Sequence, residues 1–250
     1  MTLFVTNNEY LCIIATMRLD KYLHLNNFTT SRNQAQELIK ERKVEVLGKI
    51  VTKSSFEIID QEVKILVDTI YVSRGAYKLK FFLDTHLISV KDKNCLDIGS
   101  STGGFVQVLC EKGASLVTAV DVGSAQLSKE ILNNKKVKSF EKMDIRNFRS
   151  ENSFEFVTCD VSFVGISHIL KDIDRLSSDE IVILFKPQFE VGKEVKRDKR
   201  GVVKDSKAII FACKKFEDLT LSLGWRREIC DNSQLKGKDG NEEIFYYFKK

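Results

Sequence analysis

The sequence predicts an α/β fold, a doubly wound, mainly parallel sheet with a small α+β module ahead of it. Three observations carry this reading. After residue 73, short apolar runs alternate with helical stretches, as parallel strands joined by crossover helices require. At residues 95–105 an apolar strand runs into a glycine-rich turn and a helix, Cys-Leu-Asp-Ile-Gly-Ser-Ser-Thr-Gly-Gly-Phe, and open α/β sheets bind ligands at such strand ends. Residues 17–67, by contrast, hold two short amphipathic patterns and a hairpin.

In chain order, residues 1–16 have Glu9 inside an apolar stretch and no basic residue ahead of it, so they do not form a secretory signal. They are expected to be an extension outside both domains, either non-native or disordered. From Met17, Leu19, Tyr22 and Leu23 share one helical face, with Arg18 and Lys21 opposite. Residues 29–31 offer caps for a second helix over 32–40, with Ala35, Leu38 and Ile39 as its apolar stripe. A strand from Val44, a turn at Gly48 and a returning strand follow, with another strand over 63–67. Residues 17–67 thus form one domain, 68–72 a linker and 73–250 a second domain. In the latter, strands are expected at 94–98, 116–121, 156–159, 181–185 and 244–248. Helical stretches are expected from about 73 and at 104–111, 125–132, 166–170 and 207–223. Trp225 and the aromatic run 245–248 read as core.

Composition removes several classes. With 43% hydrophobic residues, 13 Gly and one Pro, a disordered or collagen-like chain is excluded. The longest apolar runs, 11–15 and 181–185, are far short of a membrane helix. Six cysteines without a Cys-x-x-Cys pair and three His support neither a disulfide framework nor a metal site; a cytoplasmic protein with reduced thiols is expected. The net charge of +5 names no partner, but its distribution is uneven. Residues 18–53 carry eight basic against four acidic side chains, and residues 192–201 five against two.

The glycine-rich turn is neither Gly-x-Gly-x-x-Gly nor a P-loop. Asp121 ends the next strand, 22 residues beyond Gly99, where a carboxylate can accept from a ribose diol; Asp144 follows the strand after that. A NAD-type domain is the alternative at this point. Together, Leu-Asp-Ile-Gly-Ser-Ser-Thr-Gly-Gly-Phe, Val-Asp-Val-Gly and Met-Asp-Ile-Arg resemble the S-adenosylmethionine site of Rossmann-like class I methyltransferases. That resemblance implies Gly99, Ser100, Ser101, Thr102, Gly103, Gly104 and Phe105 around the methionine part, Asp121 at the ribose and Asp144 near the adenine amine. Asp97 is either structural or faces the methionine amino group.

Two residues end strands at the edge where that cofactor would lie: Asp160 after Phe-Val-Thr-Cys and Lys186 after Ile-Val-Ile-Leu-Phe. Lys78 lies on the helix after residue 73, and Glu243 begins the last strand. A lysine can help an alcohol attack in two ways: neutral, it accepts the proton, and charged, it stabilises an alkoxide.

The segments Ser-Arg-Gly-Ala-Tyr-Lys-Leu, Cys-Asp-Val-Ser-Phe, Phe-Lys-Pro-Gln-Phe-Glu-Val-Gly-Lys and Gly-Asn-Glu-Glu-Ile-Phe stand in order around the glycine-rich turn. They follow Arg-Leu-Asp-Lys-Tyr-Leu, Thr-Ser-Arg-x-Gln-Ala and Lys-Val-x-Val-x-Gly-Lys, which resemble the S-four RNA-binding domain. The whole resembles the TlyA (hemolysin A) family, an S-four domain joined to an FtsJ-type ribose methyltransferase. The resemblance implies a catalytic tetrad of Lys78, Asp160, Lys186 and Glu243, with Lys186 activating a 2′-hydroxyl and Glu242 the competitor for the last place. It also implies S-adenosyl-L-methionine as cofactor and a cytidine ribose of ribosomal RNA as substrate. The 50S subunit is favoured, since the chain ends two residues after its last strand. Arg18, Arg32, Lys43 and Lys49 are the implied phosphate contacts of the small domain. Lys196, Arg197, Lys199 and Arg200 are expected to grip the RNA backbone beside the target. Two other readings stand against this one. The first is a pore-forming toxin, suggested by the hemolysin name but opposed by the lack of long apolar segments; the second is a noncatalytic RNA-binding protein.

Overall fold

The computed structural model describes residues 16–29, 31–59, 61–67 and 69–250; the expected extension, apart from Thr16, lies outside them. The chain divides into two compact units between Val72 and Ser73.

In the first unit, β1 (Met17–Arg18) leads into α1 (Leu19–Leu25), followed by α2 (Arg32–Lys40), β2 (Val44–Val46), β3 (Lys49–Ile50), β4 (Glu57–Ile58) and β5 (Val63–Ile65). The apolar stripes of the two helices close on the hairpin to bury Leu19, Leu23, Ala35, Leu38, Ile39, Val44, Val46 and Ile58. Ser31 caps α2 through the N–H of Gln34. Val46 pairs with Lys49 across a two-residue turn, with Leu47 at φ 49° and Gly48 at φ 74°, as the right-handed twist of a tight hairpin demands. The β1–β4 pair, Met17↔Ile58 and Arg18↔Glu57, is too short to leave a sequence pattern. Residues 69–72 do not form a free linker: Tyr71 is buried, and its carbonyl accepts from Gln34 Nε2 at 2.5 Å.

The second unit runs α3 (Arg74–Thr85), β6 (Asn94–Ile98), α4 (Gly104–Glu111), β7 (Leu116–Val120), α5 (Lys129–Leu132), β8 (Val137–Phe140), β9 (Phe154–Cys159), α6 (Leu170–Leu176), β10 (Ser177–Phe185), α7 (Pro187–Glu190), α8 (Ser206–Ser222), β11 (Arg226–Asn232) and β12 (Ile244–Lys249). A 3₁₀ turn at Ile166–His168 precedes α6. Seven strands form one sheet in the order β11-β12-β10-β9-β6-β7-β8. The five from β10 to β8 are parallel, and β12 enters antiparallel between β10 and β11. The central strands are apolar because helices cover both faces. Ile98, Val157, Cys159, Ile181, Ile183 and Phe185 meet Trp225, Tyr246 and Phe248 in the largest core. Phe216 packs edge-on against Tyr246 at 5.0 Å between ring centres.

The structure differs from expectation at several elements: the helical stretch expected over 166–170 is a 3₁₀ turn, with α6 starting only at Leu170. The helix expected over 125–132 is only α5, because Ala125 is left-handed (φ 53°) and Ser128 Oγ caps at Ile131 N. The strand β11, Arg-Arg-Glu-Ile-Cys-Asp-Asn, had no apolar alternation to reveal it; as the edge strand it is mostly exposed.

Candidate active site at the carboxyl edge of the sheet

Strand β6 delivers Asp97 and Ile98 into the turn. Gly99 takes φ 82°, and a Cβ there would stand 2.7 Å from the carbonyl oxygen of Asp160, so only glycine lets the ends of β6 and β9 approach this closely. Ser101, also left-handed at φ 46°, turns its N–H onto Asp121 Oδ2 at 2.8 Å, and Gly123 N–H donates to Asp121 Oδ1 at 2.7 Å. The carboxylate that ends β7 is thus clamped over the turn. Around it opens a cleft of about 350 Å³, lined by Ile98, Gly99 and Ser101, by Val120–Val122, by Met143–Arg146 and by Asp160–Val164, with Gln126 and Ile169.

Of the expected cofactor positions, Gly99, Ser101, Asp121 and Asp144 line this cleft. Five others are engaged within the protein. Ser100 is buried and donates back to the carbonyls of Asp97 and Val120. Phe105 is buried in parallel alignment with Phe245, 6.3 Å away. A Cβ at Gly103 would press on Leu127 at 2.8 Å, and one at Gly104 would overlap Ser73 Oγ. Thr102 accepts Ser128 N–H through its carbonyl at 3.2 Å. The reason is geometric: a tight turn shows the ligand only alternate residues, and the rest brace the helix against its neighbours. Apolar lining from Val122, Met143, Ile145, Val161 and Val164 was missed. The signal existed, since each lies within a few residues of a strand-end aspartate.

Asp97 is fully buried. Thr158 Oγ donates to its Oδ1 at 2.7 Å, while Oδ2 has no hydrogen-bond partner. Burial, reinforced by the charges of Asp160 and Asp121, pushes its carboxyl up to about 7. Asp144 has the opposite setting. Arg146 grips it through Nε at 2.9 Å and its second guanidinium nitrogen at 2.5 Å, and the Arg146 N–H adds a third bond. These hold the carboxyl below the usual range.

The four residues of the expected tetrad fall into two ion pairs at this edge. Lys186 follows β10, with Nζ 2.9 Å from Ser162 Oγ and 2.5 Å from Asp160 Oδ1. The latter is a charge contact outside hydrogen-bond angles, leaving that oxygen buried without an aligned donor. Lys78 on α3 donates to Glu243 Oε2 at 2.6 Å, and both side chains are buried. The helix lies beside Asp160 at this edge, with Asp160 Oδ2 3.5 Å from where a Cβ on Gly75 would stand, an ordinary contact distance. Glu242, the competitor, is exposed and pairs with Lys236 at 3.0 Å.

In the first unit, Arg18 and Arg32 both converge on Asp20. Arg18 forms two bonds of 3.1 Å, Arg32 donates at 3.0 Å and Gln36 Nε2 at 2.6 Å. Lys43 pairs with Glu41 at 2.6 Å, and Lys49 is exposed. Of the four basic residues expected to face RNA between 192 and 201, Lys196, Lys199 and Arg200 are exposed. Arg197 differs, since its guanidinium donates to the carbonyls of Gln188, Lys193 and Val195. Among the described residues no group of three or more His, Cys, Asp or Glu is gathered to hold a metal ion, and no helix is long and apolar enough to cross a membrane.

Comparison with known proteins finds relatives for both units. The FtsJ-like methyltransferase family matches residues 71–250, and the S4 domain matches residues 17–58. The 23S rRNA (cytidine-2′-O)-methyltransferase TlyA of Campylobacter jejuni is 46% identical over 254 aligned residues, covering 94% of this chain and 100% of the relative. The 16S/23S rRNA (cytidine-2′-O)-methyltransferase TlyA of Mycobacterium tuberculosis is 34% identical, covering 93% of this chain and 89% of the relative. A solved structure from Streptococcus thermophilus, described as a hemolysin, superposes with a TM-score of 0.72 at 31% identity, over 95% of this chain and 89% of that one.

Proposed function

From the premise that this chain belongs to the FtsJ-like methyltransferase family and carries an S4 domain, we propose that it transfers a methyl group from S-adenosylmethionine to the 2′-hydroxyl of a cytidine in ribosomal RNA. Large-subunit RNA is the preferred substrate, as the name of the Campylobacter relative states for that protein. The observation that carries the reading is the Lys186–Asp160 pair at the rim of the cleft, with the buried Lys78–Glu243 pair at the same sheet edge.

The residues present fit the cofactor. Asp97 Oδ2 is a buried acceptor without a donor, and the methionine amino group would supply one. Asp121 offers carboxylate oxygens to a ribose diol, and Met143, Val122 and Ile145 form apolar walls for a base with Asp144 beside them. When bound, S-adenosylmethionine supplies a sulfonium-activated methyl group, which needs no metal. The chain's own task is to hold the hydroxyl in line and take its proton as the oxygen–carbon bond forms. Ser162 and Asp160 fix the Lys186 amine at the cleft mouth, and the proton leaves to this amine–carboxylate pair. Glu243 compensates the buried Lys78, so that the helix carrying it can lie against the reacting edge. Arg18, Arg32, Lys43 and Lys49 hold phosphates of the same RNA, and Lys196, Lys199 and Arg200 contact it beside the target. The domain limits that this assigns are residues 17–67 and 73–250.

Neither alternative, a pore-forming toxin or a noncatalytic RNA-binding protein, has a structural observation in its favour. The test is incubation of the protein and of Lys186→Ala with labelled S-adenosylmethionine and ribosomal subunits that lack the modification. Transfer to the large subunit by the unaltered chain alone is expected. Equal transfer by both proteins would remove Lys186 from the mechanism, and none to either subunit would remove the reaction.

A further inference from the structure

The segment 192–203 follows Lys186 by one short helix, and its charge suggests a loose basic loop. Its hydrogen bonds describe a built hairpin. Arg197 bridges Val203 in antiparallel fashion, Asp198 N–H donates to the Val202 carbonyl at 2.9 Å, and Gly201 N–H returns to the Asp198 carbonyl at 2.9 Å. Gly201 at φ 82° completes a three-residue turn. The Asp198 carboxylate accepts from the N–H groups of Arg200 and Val202 at 2.8 and 3.0 Å. The tip therefore presents Lys199 and Arg200 on a turn held by hydrogen bonds from the N–H groups of Asp198, Arg200, Gly201 and Val202.

Both legs of this hairpin are tied to segments that carry tetrad residues. Arg197 donates to the Gln188 carbonyl at 3.1 Å, two residues after Lys186. On the other leg, buried Asn241 accepts Val203 N–H at Oδ1 (3.1 Å) and donates weakly to the Gly201 carbonyl (3.5 Å). Its own carbonyl accepts from Gly237, and it stands two residues before Glu243. Arg197 directs three of its five guanidinium N–H donors to backbone carbonyls, which is the use of a brace.

We infer that Arg197 and Asn241 are positioning residues that fix the Lys199–Arg200 tip to the Lys186 and Glu243 segments, so that an RNA phosphate seated on the tip sets the approach of the acceptor ribose to Lys186. This rests on the proposed methyl transfer and says how the substrate backbone is registered against it. A phosphodiester held on a rigid tip restricts the ribose a few bonds away, and small errors in such placement cost rate more than affinity.

Steady-state transfer to unmodified large subunits tests this. Lys199→Ala/Arg200→Ala should raise KM for the subunit about 10-fold, lower kcat about 10-fold because the ribose is no longer registered, and flatten the salt dependence by about two phosphate contacts. Arg197→Ala should lower kcat about 10-fold at unchanged affinity for S-adenosylhomocysteine. Placed on the Lys199→Ala/Arg200→Ala background, it should cost less than about twofold, because the brace no longer has a loaded tip to hold. Asn241→Ala should behave as Arg197→Ala does, and Asn241→Asp, which keeps the acceptor for Val203 N–H, should recover most of the rate; this series also serves if Arg197→Ala does not fold. Equal cost of Arg197→Ala in both backgrounds, or an Asn241→Ala rate equal to that of the unaltered chain, would overturn the inference while leaving the reaction standing. No transfer by the unaltered chain would instead remove the reaction, and this inference with it.

Discussion

Two aspartates, Asp20 in the first unit and Asp97 in the second, are both fully buried, yet they titrate in opposite directions. The Arg18 guanidinium, followed by Gln36 and Arg32, holds Asp20 far below the ordinary carboxylate range. Asp97 has one hydroxyl donor and an orphaned oxygen, and burial drives it up to about 7. Burial alone therefore does not decide charge; the supply of donors does. The first unit closes its buried charge with its own side chains. The second leaves one oxygen of Asp97 and one of Asp160 buried without an aligned donor.

If this contrast is right, substitutions at open groups should cost activity, and those at closed groups stability. The largest effect is expected at Lys186, whose pairing with Asp160 is unaligned: Lys186→Ala should lower methyl transfer about 10²–10⁴-fold while S-adenosylhomocysteine still binds by calorimetry. Gly99→Ala comes next. Its Cβ would meet the Asp160 carbonyl oxygen at 2.7 Å from a left-handed backbone, so a loss of about 2–3 kcal/mol in thermal or urea unfolding is expected. A variant as stable as the parent would show that the β6 and β9 ends can part.

Asp20→Ala should destabilise the first unit by about 2 kcal/mol, the low side for a broken buried pair because both guanidinium groups are half-exposed. Cofactor affinity should not change; if it fell instead, the contrast between the units would fail. Its native carboxyl is depressed, so its contribution is present above pH 4 or so and is lost as pH falls below that range.

Asp97 has the reverse sign. With a native value near 7 against about 4 unfolded, it binds its proton more tightly when folded, so its contribution is full below about pH 4 and is lost as pH rises to 7. Asp97→Asn should therefore come closest to the parent below about pH 4 and gain on it by roughly 3–4 kcal/mol by pH 8 in thermal unfolding, with weaker cofactor binding. The smallest effect is expected for Glu242→Gln, within about 0.5 kcal/mol in both rate and stability, since its pair with Lys236 is exposed. Glu243→Gln, one residue away but buried against Lys78, should differ plainly.

Much of this was legible in the linear chain. The strand at 94–98 and the helices at 32–40 and 104–111 coincide with their patterns, because apolar periodicity follows directly from which face is covered. The strand-end aspartates were legible too, since a polar residue closing an apolar run must sit where the sheet meets solvent or ligand. Side-chain commitments were not. Nothing in the order Lys-Arg-Asp-Lys-Arg-Gly distinguishes Arg197, which braces, from Arg200, which is exposed; only the return of Val203 onto Asn241 does so. Likewise Ser100 and Ser101 are adjacent and chemically identical, yet one turns into the sheet and the other lines the cleft.

By itself, then, the sequence determined the two units, the α/β alternation and the motifs at strand ends, all of which are written in local periodicity and turn chemistry. The tertiary structure decided which carboxylates are satisfied. It also decided that the last strand enters antiparallel and brings Glu243 to Lys78, 165 positions away in the chain. Those outcomes depend on which distant donors arrive beside a buried acceptor, and no local pattern encodes that arrival.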